Sequence, residues 1–246
     1  MSELAIIGGT GLTALHGLEI VRREVVHTPF GEPSGPLTHG VLHGREIVFL
    51  PRHGATHNIP PHMINYRANL WALKHIGVEQ IIAISAVGGI NPKLPPCRIA
   101  FPRQIIDYTY SRAHTFFEDG LTHVTHIDFT SPYCAELREV LIAAAEHARL
   151  DAWCDGVYGA TQGPRLETAA EIDRMEREGC DMVGMTGMPE AALARELELC
   201  YATCAVCANW AAGRGKPEIT LDDIRANLQH GMADVAKLLG SVMPLL

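Results

Sequence analysis

The fold is decided by the stretch Leu4-Ala5-Ile6-Ile7-Gly8-Gly9-Thr10-Gly11-Leu12, in which an apolar run meets a glycine-rich turn. The apolar residues predict a buried strand, because parallel strands that are covered on both faces read as continuous apolar runs. The glycines permit a tight turn that brings backbone N–H groups close to an anion, and the Thr10 hydroxyl adds a donor. The stretch therefore predicts either a phosphate cradle or a purely structural turn.

The same turn also matches a dinucleotide-binding pattern, since Gly9–Ala14 fits G-x-G-x-x-A. That interpretation requires a long crossover helix directly after the turn. Gly17 instead interrupts the chain shortly after Ala14, and the strand-like run Ile20–Val26 follows at once. The spacing leaves no room for the helix and disfavours an NAD-binding protein.

Strand-like runs alternate with helical patterns along the rest of the chain, with no linker, repeat or low-complexity block between them. The predicted strands are Leu4–Gly8, Ile47–Leu50, Gln80–Ser85, Ile99–Asp107, Asp155–Ala160, Asp181–Met185 and Cys200–Ala208. The predicted helices are Ile64–His75, one that begins at Ser131-Pro132, Glu167–Glu178 and one that begins at Thr220. This alternation predicts a single α/β domain over residues 1–246, with a mixed, largely parallel central sheet flanked by helices and with binding residues at the strand ends.

Composition narrows the class of protein. The 246 residues include 20 Lys and Arg against 28 Asp and Glu, and the formal net charge of −8 argues against a nucleic-acid partner. No apolar run approaches the roughly 18 residues of a membrane span, so no membrane partner is expected. The seven cysteines are odd in number and scattered, which predicts reduced thiols and a cytoplasmic protein.

A histidine-rich loop follows the second predicted strand, with Arg52 and His53 at its start and His57 and His62 further on. Metal binding by His53 and His57 is one interpretation, but Gly54 and the nearby prolines argue against a helix that would hold both ligands on one face. Arg52 with His53 suits an oxyanion, because Arg offers a planar donor fork and His a further donor. A solvated loop with incidental basic residues is the remaining alternative.

Three cysteines, Cys200, Cys204 and Cys207, have a spacing that invites a metal site. They lie in an apolar strand-like run, in which alternate residues face opposite sides. No second cysteine pair at zinc-site spacing accompanies them in the sequence. We therefore expect small buried cysteines and no metal.

Six motifs in a fixed order make the sequence specific. They are Gly8–Leu12, Pro51–Gly54, Asn65–Asn69, Ser85–Gly89, Gly163–Thr168 and Gly184–Glu190. Together they resemble the purine nucleoside phosphorylase / methylthioadenosine phosphorylase family over nearly the whole chain. The resemblance implies the family's α/β fold, a homotrimer, and a reaction in which phosphate cleaves a nucleoside to a free purine and a ribose 1-phosphate. It also implies no metal and no organic cofactor, with inorganic phosphate as a co-substrate.

The resemblance also implies roles for individual residues. Met185 would contact the ribose, Asn209 would be the catalytic residue over the purine, and His126 would reach into a neighbouring subunit's site. The phosphate contacts would be Thr10, Arg52, His53, Ser85, Ala86 and Thr186. Because the phosphate is both the nucleophile and the counter-ion of the sugar cation, the chemistry needs no side-chain nucleophile.

Two departures from the adenine-specific branch of the family bear on the base. That branch carries Asp where this chain has Asn209 and Ala211, and a small hydroxyl residue where this chain has Glu167. An Asn amide can donate to a 6-oxo oxygen, and a carboxylate accepts the N1–H of hypoxanthine, although Glu167 could also be a simple first-turn helix residue. Both departures favour a 6-oxopurine. Leu166 replaces the family's aromatic residue, which predicts weaker stacking on the base.

The 5′ end of the sugar is predicted to meet Leu221 and Ile224, which share one face of the last helix. Apolar groups there would suit a methylthio group and leave a hydroxyl unpaired, unless both residues simply pack into the core. The expected reaction is phosphorolysis of S-methyl-5′-thioinosine to hypoxanthine and 5-methylthioribose 1-phosphate. Phosphorolysis of methylthioadenosine, or of inosine and guanosine, is the alternative, and a binding protein without catalysis belongs to a different class.

Overall fold

The computed structural model describes residues 3–215 and 218–246, and strands alternate with helices along it. The strands are β1 (Leu4–Gly8), β2 (Glu19–Glu24), β3 (Leu37–Leu42), β4 (Arg45–Pro51), β5 (Gln80–Gly89), β6 (Ile99–Ala100), β7 (Gln104–Asp107), β8 (Ala152–Trp153), β9 (Val157–Ala160), β10 (Met182–Gly184) and β11 (Cys200–Trp210). The helices are α1 (Tyr66–His75), α2 (Ala135–His147), α3 (Ala169–Arg177), α4 (Gly187–Glu196) and α5 (Leu221–Val242). None of the described helices is long and apolar enough to cross a membrane.

The strands form one mixed sheet with β5 at its centre. β1 pairs in parallel with β4 and with the first half of β5, and β11 pairs in parallel along the whole of β5. β10 meets the far end of β5 in antiparallel register, and β9 and β7 continue the sheet beyond it. The antiparallel strands β2 and β3 extend the sheet on the other side of β4. The predicted mixed α/β fold is therefore confirmed, and β1 is followed by β2 rather than by the crossover helix of a dinucleotide fold.

A change of partner along β5 creates the opening for a site. β1 pairs with residues 80–83 of β5 and β10 pairs with residues 88–89, so residues 84–87 lie between the two pairings. Open α/β sheets bind ligands at switch points of this kind, outside the carboxyl ends of the strands. β1 and β4 run parallel to β5, so the turns that follow them reach the same place.

Helices cover both faces of the sheet and divide the core into two main clusters. α1 and α4 pack on one face, where Ile7 is buried, and α2 and α5 pack on the other, where Ile6 is buried. Adjacent residues of β1 thus serve opposite faces, which explains the uninterrupted apolar run in the sequence. A smaller cluster holds α3 against Val183 and Ala211.

Two of the predicted boundaries that differ from the structure have a local physical reason. Ile99–Asp107, predicted as one strand, is split into β6 and β7, since Pro102 has no N–H to contribute to a ladder. The second helix begins at Ala135 rather than at Ser131-Pro132. Its N-cap is Cys134, whose backbone N–H donates to the Tyr201 carbonyl at 2.8 Å and ties the helix start to β11.

The expectation of reduced thiols is wrong for two cysteines. Cys134 and Cys200 form a disulfide, because the fold brings the start of α2 beside the start of β11 across a sequence separation of 66 residues. The scattered positions in the sequence do not reveal that proximity. Cys204 and Cys207 are buried free thiols, as expected, and burial raises the pKa of each to about 12.

Candidate active site

A cavity of about 610 Å³ lies at the partner change along β5. All the predicted site residues except His126 line it: Thr10, Arg52, His53, Ser85, Ala86, Leu166, Glu167, Met185, Thr186, Asn209, Ala211, Leu221 and Ile224. We call it the site cavity. Within residues 3–215 and 218–246, no set of three His, Cys, Asp or Glu side chains could hold a metal ion.

Gly9 makes room for the inner wall of the site cavity. A Cβ at this position would lie 2.5 Å from the Ile84 carbonyl oxygen and 3.0 Å from Nη1 of Arg52. Only glycine therefore lets the turn after β1 approach both β5 and the Arg52 guanidinium this closely.

Arg52 is fully buried and is held in one orientation by three hydrogen bonds. Its Nε and Nη2 donate to the two carboxylate oxygens of Glu190, each at 2.7 Å, and its Nη1 donates to the Ile84 carbonyl at 2.8 Å. Burial opposes the charge of Arg52, but Glu190 outweighs it, so the pKa of Arg52 is raised. The five N–H groups of Arg thus keep one hydrogen on each Nη for a ligand. Because Glu190 neutralises it, Arg52 offers an anion directed donors without net charge.

His53 is buried beside Arg52, and its ring orientation is also fixed. Nδ1 lies 2.9 Å from the Ile59 carbonyl, so Nδ1 carries the hydrogen of the neutral ring and Nε2 is an acceptor. Burial, and then the charge of Arg52, lower the pKa of His53 to about 4. At neutral pH the His53 ring is therefore neutral and Nε2 can accept a hydrogen bond from a ligand, whereas the sequence predicts a donor here.

Hydroxyl groups complete this end of the site cavity. Ser85 and Thr186 are both buried, and their oxygens lie 3.3 Å apart. Thr186 is the N-cap of α4 and makes no side-chain capping bond, so its hydroxyl is not committed to the backbone of the helix. The Thr10 hydroxyl, which also lines the site cavity, lies 3.1 Å from Nε2 of His57.

The other end of the site cavity carries Glu167 and Asn209. Thr161 donates to Oε1 of Glu167 at 2.6 Å, and Oε2 of Glu167 accepts no hydrogen bond from the described residues. Helix α3 begins at Ala169 with Thr168 as its N-cap, so Glu167 precedes the helix and is not a first-turn residue.

The orientation of the Asn209 amide is fixed by the backbone. A register shift between Cys207 and Asn209 in the pairing of β11 with β5 turns Asn209 toward the site cavity. Its Nδ2 donates to the Trp210 carbonyl at 2.8 Å. A flipped amide would set oxygen against oxygen there, so Nδ2 stays in place with its second hydrogen available.

The mouth of the site cavity is apolar and open. Leu221 is 68% exposed and Leu166 is 44% exposed, so neither packs into the core. Ile224 and His57 border the same mouth, and both also line a second cavity of about 860 Å³ between the β1 turn and α5.

His126 stands apart from the site cavity of its own chain. It is exposed on the segment 108–134, between β7 and α2. Sequence analysis gave no role to Glu190, which is quoted within a motif, or to Arg112, which the structure shows to be buried. Both act through contacts far apart in sequence, and no local pattern signals them.

Comparison with known proteins agrees with the fold. Residues 3–243 match the family described as the phosphorylase superfamily, and the chain belongs to that family. A relative from Pseudomonas syringae pv. tomato, named probable S-methyl-5′-thioinosine phosphorylase, is 54% identical over 99% of this chain and 99% of its own length. The 6-oxopurine nucleoside phosphorylase of Pyrococcus furiosus is 47% identical over 100% of this chain and 94% of its own length.

Solved structures show the same likeness in three dimensions. Methylthioadenosine phosphorylase from Schistosoma mansoni, in complex with adenine, has a TM-score of 0.94 and 32% sequence identity, with 100% of this chain and 92% of that chain covered. A methylthioadenosine phosphorylase from an antarctic soil metagenomic library has a TM-score of 0.91 and 36% identity, with 99% and 86% covered.

Proposed function

We propose that this chain is a purine nucleoside phosphorylase that acts on S-methyl-5′-thioinosine and releases hypoxanthine and 5-methylthioribose 1-phosphate. One observation carries the proposal: a single cavity is lined by Arg52, Glu167 and Asn209. The guanidinium suits an oxyanion such as phosphate, and the carboxylate and amide suit the polar edge of a 6-oxopurine. The names of the similar proteins, a probable S-methyl-5′-thioinosine phosphorylase among them, support the same substrate class.

The reaction follows from the two ends of the site cavity. A phosphate oxygen forms a bond to C1′ of the sugar while the bond from C1′ to the base nitrogen breaks, and the base leaves with that electron pair. Phosphate held by Arg52, Ser85 and Thr186 stabilises the cationic sugar, and the second N–H of Asn209 stabilises charge that develops on the base. Glu167 accepts the N1–H that hypoxanthine has and adenine lacks. Inorganic phosphate is the co-substrate, and no metal or organic cofactor takes part.

The test is a panel of S-methyl-5′-thioinosine, S-methyl-5′-thioadenosine, inosine and adenosine, each with and without phosphate, followed by chromatography of the released base. We expect release only with phosphate, and a preference for thioinosine over thioadenosine of about 10²- to 10³-fold in kcat/KM. Release without phosphate would overturn the phosphorylase assignment. A preference for thioadenosine would overturn the roles given to Glu167 and Asn209.

A second candidate, a phosphorylase of ordinary 6-oxopurine nucleosides, is favoured by the polar ring of His57 beside Leu221 at the mouth. That imidazole could bind a 5′-hydroxyl, whereas Leu221 and Ile224 suit a methylthio group. Equal kcat/KM values for inosine and S-methyl-5′-thioinosine would decide for the second candidate.

We further propose a cytoplasmic homotrimer in which His126 completes a neighbouring subunit's site. The segment 108–134 that carries His126 also exposes Tyr110, Leu121 and Val124, apolar side chains that a subunit interface would cover. Light scattering under assay conditions should give a trimer, and a fully active monomer would refute this assembly.

A further inference from the structure

Arg112 is a buried cation whose bonding pattern the reaction described above leaves unexplained. Its exposed fraction is 8%, and its bonds are to neutral groups: backbone carbonyls, an amide oxygen and a hydroxyl. A buried guanidinium whose three nitrogens all donate hydrogen bonds holds its partners rigidly, because each of its five N–H groups has a fixed direction.

The partners of Arg112 come from the two loops that carry the nucleoside contacts. Nη2 donates to the carbonyls of Thr161 at 3.1 Å and Gln162 at 2.8 Å, in the loop after β9. Nη1 donates to the carbonyl of Met185 at 2.9 Å, in the loop after β10, and to the carbonyl of Met188 at 2.5 Å, at the start of α4. One planar group therefore sets the spacing of these two loops.

Each loop passes that spacing on to the site cavity. Thr161, held at its carbonyl by Arg112, donates its hydroxyl to Oε1 of Glu167 at 2.6 Å. Met185, held in the same way, lines the cavity where the sugar is expected. Thr186, a phosphate-contact candidate, lies between Met185 and Met188 and is held along with them. The bonds that orient Arg52 come instead from Glu190 and Ile84, to neither of which Arg112 donates a hydrogen bond.

We infer that Arg112 is a positioning residue for the nucleoside end of the site: it fixes the distance between the base-reading Glu167 and the sugar-contacting Met185. The inference rests on the proposed function and deepens it. Arg112 touches no reacting atom and acts through Thr161 and the Met185 backbone. Its loss should therefore change how the nucleoside is bound and discriminated more than it changes phosphate binding, for which Arg52 keeps its own partners.

The central experiment compares Arg112→Lys with the wild-type enzyme. Lysine keeps the charge but cannot bridge both loops with a planar fork. The kcat/KM for S-methyl-5′-thioinosine should fall by about 10- to 100-fold, since small misplacements of reacting groups have effects of this size. The preference for thioinosine over thioadenosine should narrow as well, and the KM for phosphate should change less than the KM for the nucleoside.

Arg138→Lys is the matched control. Arg138 also donates to backbone carbonyls, those of Phe101 and Cys154, but neither of these partners lines the site cavity, whereas Met185 does. A purely structural effect of either change would lower the active fraction and so reduce kcat for every substrate, with KM and base preference unaltered. If the wild-type enzyme is active and Arg112→Lys, like Arg138→Lys, lowers only kcat, the inference is refuted.

A second variant tests the hydrogen bond from Thr161 to Glu167, the last step of the relay from Arg112 through Thr161 to Glu167, and leaves Arg112 unchanged. Thr161→Val removes the hydroxyl that holds Glu167 and should narrow the base preference, and Thr161→Ser should restore it. Unchanged base preference in Thr161→Val would refute the relay even if Arg112→Lys fails to fold. A wild-type enzyme that cleaves none of the nucleosides would instead refute the proposed function itself.

Discussion

The two ends of the site cavity are built differently. At the end proposed to bind phosphate, which we call the phosphate end, Arg52, Ser85 and Thr186 are buried. Arg52 directly follows β4, Ser85 lies within β5 and Thr186 is the N-cap of α4. At the end proposed to bind the nucleoside, which we call the nucleoside end, Leu166 is exposed in a loop and Leu221 is exposed at the first turn of α5. The phosphate end is thus enclosed by the chain itself, whereas the nucleoside end is open in the single chain.

The difference teaches how an anion can be held by a neutral site. Arg52 is paired with Glu190 and the pKa of His53 is lowered to about 4, so neither contributes net positive charge at neutral pH. Fixed hydrogen-bond donors can still stabilise an anion strongly when their directions are set in advance. At this end, fixed hydrogen-bond directions take the role that net charge would otherwise have. Substitutions at the phosphate end should therefore have larger effects on stability and activity than substitutions at the nucleoside end.

The largest effect is expected from Arg52→Met. It leaves the Glu190 carboxylate buried with Tyr201 as its remaining donor, at 2.8 Å. Removing one partner of a buried ion pair lowers the free energy of unfolding by about 3–5 kcal/mol. Urea unfolding measures the change, and phosphate binding should be lost as well.

The double variant Arg52→Met with Glu190→Gln separates the two roles of Arg52. The glutamine side chain introduced by Glu190→Gln would carry no charge and could still accept from Tyr201, so most of the stability should return while phosphate binding does not. A single variant as stable as the wild type would show that the phosphate end is not built around this pair.

The next largest effect is a pH dependence of stability that belongs to His53. Its pKa is lowered to about 4 in the folded chain by burial and by Arg52, against about 6.5 in the unfolded chain. Between these values the unfolded state binds the proton and the folded state does not, so stability is complete above pH 6.5 and is lost as the pH falls toward 4. The loss should reach about 3 kcal/mol in phosphate-free buffer.

Urea unfolding between pH 4 and pH 8 measures this loss in the wild type and in His53→Gln. The variant should show a flatter profile, and His147→Gln, a change at an exposed ring in the last turn of α2, should keep the wild-type slope. Parallel profiles for the wild type and His53→Gln would mean that His53 is not held neutral.

The same contrast explains what the sequence could predict. The phosphate end follows local signals, since a glycine turn after an apolar strand and the Arg52-His53 pair both lie in short motifs. Glu190 meets Arg52 across a separation of 138 residues, and Arg112 meets Met185 across 73, so neither contact leaves a local pattern. The disulfide between Cys134 and Cys200 is hidden for the same reason.

At the nucleoside end, the sequence predicts which residues line the cavity but not where they lie relative to the helices. Glu167 and Asn209 follow from the resemblance to the family, whereas the position of Glu167 outside α3 is seen only once Thr168 is known to be the N-cap. The exposure of Leu221 depends on how α5 meets the β1 turn, which periodicity alone does not determine.

A smaller effect is expected at the base-reading residues. Asn209→Asp with Glu167→Gln should shift the ratio of kcat/KM between thioinosine and thioadenosine toward the adenine nucleoside by about 30- to 200-fold. The amide introduced by Glu167→Gln could donate to the bare N1 of adenine, and the carboxylate introduced by Asn209→Asp could accept from its 6-amino group. Ala211 is left unchanged because it is buried against Val183 and Ile172, where a carboxylate would be desolvated. A ratio that does not move would remove both residues from base recognition.

The smallest effect is expected at the open mouth, from Leu221→Ala. A fully buried leucine contributes about 1.5–3 kcal/mol, but Leu221 is 68% exposed, so only part of that is available for a methylthio group. We expect the ratio of kcat/KM for S-methyl-5′-thioinosine over inosine to fall by about fivefold, equivalent to about 1 kcal/mol. Leu166→Ala is the matched control, because Leu166 is also exposed at the mouth but lies beside Glu167, and it should leave that ratio unchanged.

An unchanged ratio in Leu221→Ala would place the 5′ group elsewhere. A fall of about a hundredfold, equivalent to about 2.8 kcal/mol, would mean that Leu221 is enclosed during catalysis, so that the nucleoside end closes as tightly as the phosphate end.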